Sequence, residues 1–209
     1  MIKKTTIFSF LLFSILGFSQ SFEGKILYTN SYKSKNTQYT YERWATILGD
    51  TETYFIKGGD YKTTTNGSLM KWQLYINKDN KLYSKMSNTE TVLWNDASVQ
   101  DDVVLSVKIN KNSIRILGYL CDELILTCKS GIQKYYYSSK IGIDAKLFSN
   151  HKYGNWYDYL SQSNALPLKM VLENPEFITY SIAISVVPMS LEKEFFELEP
   201  DARLEKSKF

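Results

Sequence analysis

Apolar side chains recur at every second position through most of the chain, a spacing that belongs to β-strands with one buried face rather than to helices. In FEGKILYTNSY, Phe22, Ile26, Tyr28 and Tyr32 share one parity, while Glu23, Lys25, Thr29 and Ser31 take the other. TQYTYERWATIL reads as a second strand, with Tyr39, Tyr41, Ala45 and Ile47 on one face and Trp44 and Leu48 on the opposite one. TETYFIK, the Gly58–Gly59–Asp60 turn and YKTTT form a hairpin pattern. Met70, Trp72, Leu74 and Ile76 alternate up to a turn at Lys78–Asp79–Asn80, and LYSKM is the return strand. Thr91 to Trp94 fits a short strand. From Asn95 a loop or short helical turn leads into a strand carrying Val103, Leu105, Val107 and Ile109. Ile114 to Thr127, Gln133 to Ser138, Leu166 to Glu173 and Phe177 to Val187 complete the series. In the last of these, Tyr180, Ile182, Ile184 and Val186 oppose Ser181, Ala183, Ser185 and Val187.

Helical spacing is confined to two short stretches. Trp156, Tyr159 and Leu160 fall at i, i+3 and i+4 within Asn155 to Ser163, and Leu191, Phe195 and Phe196 do something similar within Leu191 to Glu197. Each is too short to stand without packing on a sheet. All four prolines lie at Pro167 or later, so the early strands are free to pair continuously. The fold class is therefore mainly β, with one antiparallel sheet of about nine to eleven strands that tends to curl or close at that number.

The first residues depart from this pattern. Lys3 and Lys4 precede an apolar run from Ile7 to Phe18, and Gly17 and Ser19 supply small residues before a cut. This is the layout of a secretory signal peptide over residues 1–19, leaving 20–209 as a single β-rich domain. Twelve apolar residues at a rise of about 1.5 Å span roughly 18 Å, short of a hydrocarbon core about 30 Å thick, so no integral membrane segment is expected in the mature form. The expected location is the periplasm or the extracellular space, with the protein soluble after cleavage. The leader also explains the charge. The chain has 25 Lys plus Arg against 22 Asp plus Glu; removing Lys3 and Lys4 leaves 23 against 22, a net of +1. So weak a balance argues against nucleic acid as a partner. Removing the leader takes four of the 31 aromatic residues, and the remaining 27 call for an explanation in the fold or in a ligand.

Motifs for chemistry are mostly missing. His151 is the only histidine, and in the loop-like NHKYGN it reads as solvated, without a GxSxG elbow or a nucleophile to serve. Cys121 and Cys128 match no zinc knuckle, and no motif calls for a cofactor. The two cysteines have opposite parity and would lie about 23 Å apart on a straight strand, against the roughly 4.4–6.8 Å that a disulfide needs. A bulge near Asp122–Glu123 would close that gap; two buried free thiols are the other reading. Glycoside hydrolysis needs two acids about 5–10 Å apart. Asp101–Asp102 adjoin a turn, and Glu192, Glu194, Glu197 and Glu199 flank apolar residues, so all read as solvated charges.

Three segments carry a resemblance. FEGKILYTNSY, FIKGGDYKTTT, and ILGYLC followed by KYYYSSKIGI are similar to the opening strand, the strand-Gly-Asp hairpin and the Gly-Tyr-x-Cys strand of exported Bacteroidota proteins. Those proteins are of uncharacterised function, in the LolA-like periplasmic lipoprotein-carrier superfamily that includes the GLPGLI group. SNALPLKMVLE stands where such proteins carry a Leu-Pro-Leu or Gly-Leu-Pro segment, although the Gly-Leu-Pro-Gly-Leu-Ile string itself is absent. The resemblance implies a strongly curved half-barrel whose concave face is capped by short helices and encloses an apolar cavity. On that reading Tyr28, Trp72, Leu74, Ile76, Tyr180, Ile182 and Ile184 are the candidate ligand-binding residues, with core packing as the competing role for each. The expected function is a non-catalytic periplasmic or envelope protein that binds a lipid, an acyl chain or a lipoprotein. An envelope interaction module with a protein partner is the alternative, and a carboxylate-dependent hydrolase ranks behind both.

Overall fold

The computed structural model describes residues 21–208, so the leader expected at residues 1–19 lies outside the described residues. A single open sheet of twelve strands organises the chain, against the nine to eleven expected, and it does not close into a barrel. Six strands follow one another as a meander: β1 (Gly24–Ser34), β2 (Thr51–Lys57), β3 (Asp60–Thr65), β4 (Met70–Ile76), β5 (Lys81–Met86) and β6 (Val92–Asp96). Five more form a second meander: β7 (Val104–Ile116), β8 (Tyr119–Cys128), β9 (Ile132–Gly142), β10 (Ala165–Glu173) and β11 (Phe177–Pro188). The two meanders join where β1 pairs antiparallel with β11, and β12 (Leu204–Lys206) returns to pair in parallel with β6 at the far edge.

Register assigns the two faces of the sheet. Tyr28 pairs with Glu52 and Glu52 with Thr65, while Ile56 pairs with Tyr61 and Tyr61 with Tyr75, so these residues share one face, called inner here. Lys25, Phe55, Lys62, Leu74, Tyr83 and Trp94 are likewise partners in sequence across the sheet and form the outer face. The alternation predicted for β1 is observed, with Ile26, Tyr28 and Tyr32 buried.

Three sequence expectations need correction. TQYTYERWATIL is not a strand: α1 (Tyr41–Leu48) occupies it, with the Thr40 side chain accepting from the Arg43 N–H at the N-terminus and Glu42 in the first turn. Tyr41, Trp44 and Leu48 stand at i, i+3 and i+7, a helical set that also satisfies loose alternation. Trp44 is its buried residue and stacks on Tyr39. Second, Ile114 to Thr127 is two strands, because Leu117 (φ 50°) and Gly118 (φ 83°) make a two-residue hairpin turn with positive φ at both positions. Leucine gives no turn signal, which hid the break. Relieving a left-handed leucine that is also solvent-exposed gains about 1 kcal/mol. Leu117→Asn is accordingly expected to raise the urea midpoint, read by far-ultraviolet circular dichroism.

Third, the Leu191–Glu197 segment forms a short 3-10 turn at Lys193–Phe196 rather than an α-helix. It lies on the outer face, where Leu191 and Phe196 cover Leu74, Tyr83 and Val92. Glu23 holds its start by accepting from the Leu191 N–H at 2.7 Å and from Lys57 Nζ at 3.1 Å. On the inner face, α2 (Trp156–Ser163) forms where the apolar spacing predicted it and packs with the 3-10 turn Ala145–Phe148. Tyr61, Tyr75, Tyr135 and Tyr159 meet Phe148 and Trp156 there, with Tyr135 and Tyr159 stacked at 4.1 Å. Much of the aromatic excess is core. Among the described residues, no helix is long and apolar enough to cross a membrane.

Candidate functional site

The inner face is not filled along its whole length. Beside the helical cap it opens into a cavity of about 480 Å³ that straddles the junction of the two meanders. That volume falls within the range of about 300–1,000 Å³ usual for small-molecule sites. β1 contributes Tyr28, Asn30 and Tyr32, β2 contributes Glu52 and Tyr54, and β3 contributes Tyr61, Thr63 and Thr65. Met170 and Leu172 of β10 and Thr179 and Ser181 of β11 form the opposite wall. Leu48 at the end of α1 and Trp156 at the start of α2 also line it.

The hydroxyls around this space are tied down unequally. Tyr28 donates to the Pro167 carbonyl at 2.7 Å, and Tyr32 to the Gly49 carbonyl at 2.5 Å. Tyr54 OH, Asn30 Oδ1 and Trp156 Nε1 are buried without a hydrogen-bond partner, although buried polar groups are normally satisfied. Burial raises all four tyrosines Tyr28, Tyr32, Tyr54 and Tyr61, with Tyr32 pushed up to about 12, so each is a neutral phenol near neutrality.

Among the described residues, Glu52 is the one carboxylate that lines the cavity, and no Lys, Arg or His lines it. It is partly accessible through the cavity yet surrounded by protein. Desolvation pushes it up to about 7, and the neighbouring Asn30 side chain offsets this only in part. Sequence reasoning missed it, although a signal was there: Glu52 shares parity with Tyr54 and Ile56, and so points to the same face as the core.

His151 is not solvated. It is 2% exposed, its Nε2 lies 2.8 Å from Tyr61 OH, and its ring packs 4.3 Å from Tyr75. Burial pushes its pKa down to about 4, so it is a neutral core residue adjoining the cavity wall through Tyr61.

The candidate ligand-binding residues do not gather in one place. Tyr28 lines the cavity. Trp72, Leu74 and Ile76 lie on the outer face under the C-terminal segment. Tyr180, Ile182 and Ile184 are 36%, 40% and 47% exposed, whereas Ser181 and Ala183 between them are buried. A bulge at Leu27/Tyr28 explains the split, because Tyr28 pairs with Ala183 and Leu27 with Ser185, leaving Ile184 as the extra residue. The alternation of β11 inverts there, so Val186 packs on the inner core while the other three point outward. Cys121 and Cys128 are both buried free thiols, and Cys128 accepts from Asn155 Nδ2 at 3.3 Å and is pushed up to about 11 by burial.

There are two further hollows. One, about 440 Å³, lies between Trp72 and the C-terminal segment, and the other, about 550 Å³, borders Ser21, the first described residue. Among the described residues, no group of three or more His, Cys, Asp or Glu is placed to hold a metal ion.

No family model matches this chain, and no curated protein matches it. Among solved structures it is similar to PNGF-II in two space groups, P21 and C2, at 11% identity in both cases with TM-scores of 0.48 and 0.47. Each match covers 87% of this chain but only 32% and 31% of the other, so the chain spans about a third of those proteins' length. So slight a likeness transfers no activity.

Proposed function

We propose that this is an exported, non-catalytic binding protein of the periplasm or cell envelope that holds a small, mainly apolar ligand in the inner-face cavity. The observation that carries this reading is the cavity itself, walled by tyrosines, Met170 and Leu172 and bearing a single carboxylate. Lipids and acyl chains fit such a wall. The resemblance of the strand segments to LolA-like carriers and the leader-like residues 1–19 support the same class of ligand and the same location. Glu52 has no second acid among the lining residues, so a two-carboxylate hydrolysis lacks its pair at this site.

Nile red, a neutral apolar dye, tests the reading directly. The purified protein is expected to bind it saturably at one site, with a fluorescence gain and a Kd in the micromolar range, on the order of −8 kcal/mol. Thr63→Trp, which places an indole in the cavity wall, is expected to weaken binding about tenfold or more while the circular dichroism spectrum stays the same. Equal binding by both proteins would place the dye elsewhere and remove the proposal's support.

A second reading, an envelope interaction module, has its own observation. The edge strand β7 exposes Leu105, Val107 and Ile109, and the outer face of β11 exposes Tyr180, Ile182 and Ile184. Unpartnered apolar groups of that extent suit a protein partner, and light scattering across a concentration series separates self-association from a monomeric carrier.

A further inference from the structure

Among the described residues lining the cavity, no cation stands beside the Glu52 carboxylate. It sits on β2 with Tyr28 directly across the strand pair on β1 and Thr65 across on β3, and directly opposed side chains have Cβ atoms about 4.5–5.5 Å apart. Tyr32 and Tyr54 stand on the same face, and Tyr54 stacks on Tyr61 at 5.1 Å. An acid set among phenol rings is costly when it is charged and unpaired. The same arrangement is favourable to a positive charge, which a carboxylate attracts directly and ring faces attract through their quadrupoles. Asn30, at 7% exposure and with Oδ1 unpartnered, adds an acceptor for an N–H donor on the same side.

We infer that the cavity takes an organic cation, an amine or quaternary ammonium with an apolar tail, whose charge rests against Glu52 among Tyr28, Tyr32 and Tyr54 while the tail lies along Met170 and Leu172. This rests on the proposed ligand-binding role and narrows the ligand's chemistry. The groups facing Glu52 do not compete for its charge. From β1 they are Tyr28, Tyr32 and the uncharged Asn30 amide, whose hydrogen bond to Glu52 favours the carboxylate; Tyr54 comes from its own strand and Tyr61 from β3, and burial holds all four tyrosines as neutral phenols. The walls from α1, β10 and β11 present Leu48, Met170, Leu172, Thr179 and Ser181, none of which titrates, and Trp156 is the contribution of α2. A bound cation favours the carboxylate form, so binding strengthens as pH rises through about 7, where free Glu52 loses its proton.

The test is displacement of Nile red from the purified protein at pH 8.5 by octylamine, octyltrimethylammonium, octan-1-ol and octanoate, which share one tail. The two cations are expected to displace the dye about tenfold more tightly than the alcohol, and octanoate more weakly than the alcohol. Lowering the pH to 5.5 is expected to shrink the gap between cation and alcohol. In Glu52→Gln the gap is expected to collapse to within about twofold at either pH. Equal displacement by cations and alcohol in the native protein overturns the cationic ligand but leaves an apolar binding site standing, as does a cation preference that survives Glu52→Gln. Failure of the dye and all four compounds to bind overturns the cavity reading and the inference with it.

Discussion

Glu52→Gln is expected to raise the melting temperature by several degrees at pH 8.5 and to leave it unchanged at pH 4.5. Glu52 is raised from 4.5 to about 7 in the folded protein, so between those values the native state binds more protons than the unfolded chain, and stability falls as pH rises. The full shift corresponds to about 3 kcal/mol at about 1.4 kcal/mol per unit, and water in the open cavity reduces it to about 1–3 kcal/mol. Glutamine keeps the shape and never carries the charge, so it escapes this loss. For a protein of this size each kcal/mol moves the melting temperature by roughly 2–4 °C. Differential scanning fluorimetry from pH 4.5 to 9 reads the effect. A variant that tracked the native protein at every pH would show that Glu52 is well solvated.

His151 behaves in the opposite sense. Its folded pKa is pushed down from 6.5 to about 4, so below 6.5 the unfolded chain binds the extra proton and stability is lost as pH falls. Urea unfolding of the native protein is expected to lose up to about 3 kcal/mol from this group between pH 7.5 and pH 4. His151→Gln is expected to lack that acid-side loss. It also gives up the contact with Tyr61 OH and the ring packing on Tyr75, costing about 1–3 kcal/mol at pH 7.5. The two groups titrate across nearly the same window, 4.5 to 7 and 4 to 6.5, with opposite slopes. The native protein should therefore show a shallow pH profile there, and each variant should uncover the slope of the other group. A native profile that fell steeply from pH 6.5 to pH 4.5 would mean that one of the two burials is mistaken.

The sequence announced the local features of this fold and concealed the relations between distant ones. The β2–β3 hairpin, the alternation of β1 and the helix α2 were legible because turn residues and periodicity lie within one short segment. α1 was misread because Tyr39, Tyr41, Ala45 and Ile47 satisfy period two while Tyr41, Trp44 and Leu48 satisfy the helical spacing. The face of β11 was misassigned for a longer-range reason: the bulge opposite Leu27 and Tyr28 inverts it, and the strand's own residues do not show where their partner slips. Ser181 looked like a solvent residue and is instead a small side chain that leaves room for the cavity. His151 was read from its loop-like setting and Glu52 drew no reading at all, whereas burial decides the chemistry of each.

The seam between β1 and β11 joins residues that the chain places about 150 positions apart, while every other antiparallel pair among the described residues joins strands consecutive in sequence. Local meanders form early and distant pairings late, because closing a long loop must precede its contacts. The cavity is built across that seam, with β1 to β3 on one side and β10 and β11 on the other. Neither half alone walls it. The cavity is therefore complete only where the two meanders have paired, and any molecule that filled it would touch both halves of the protein.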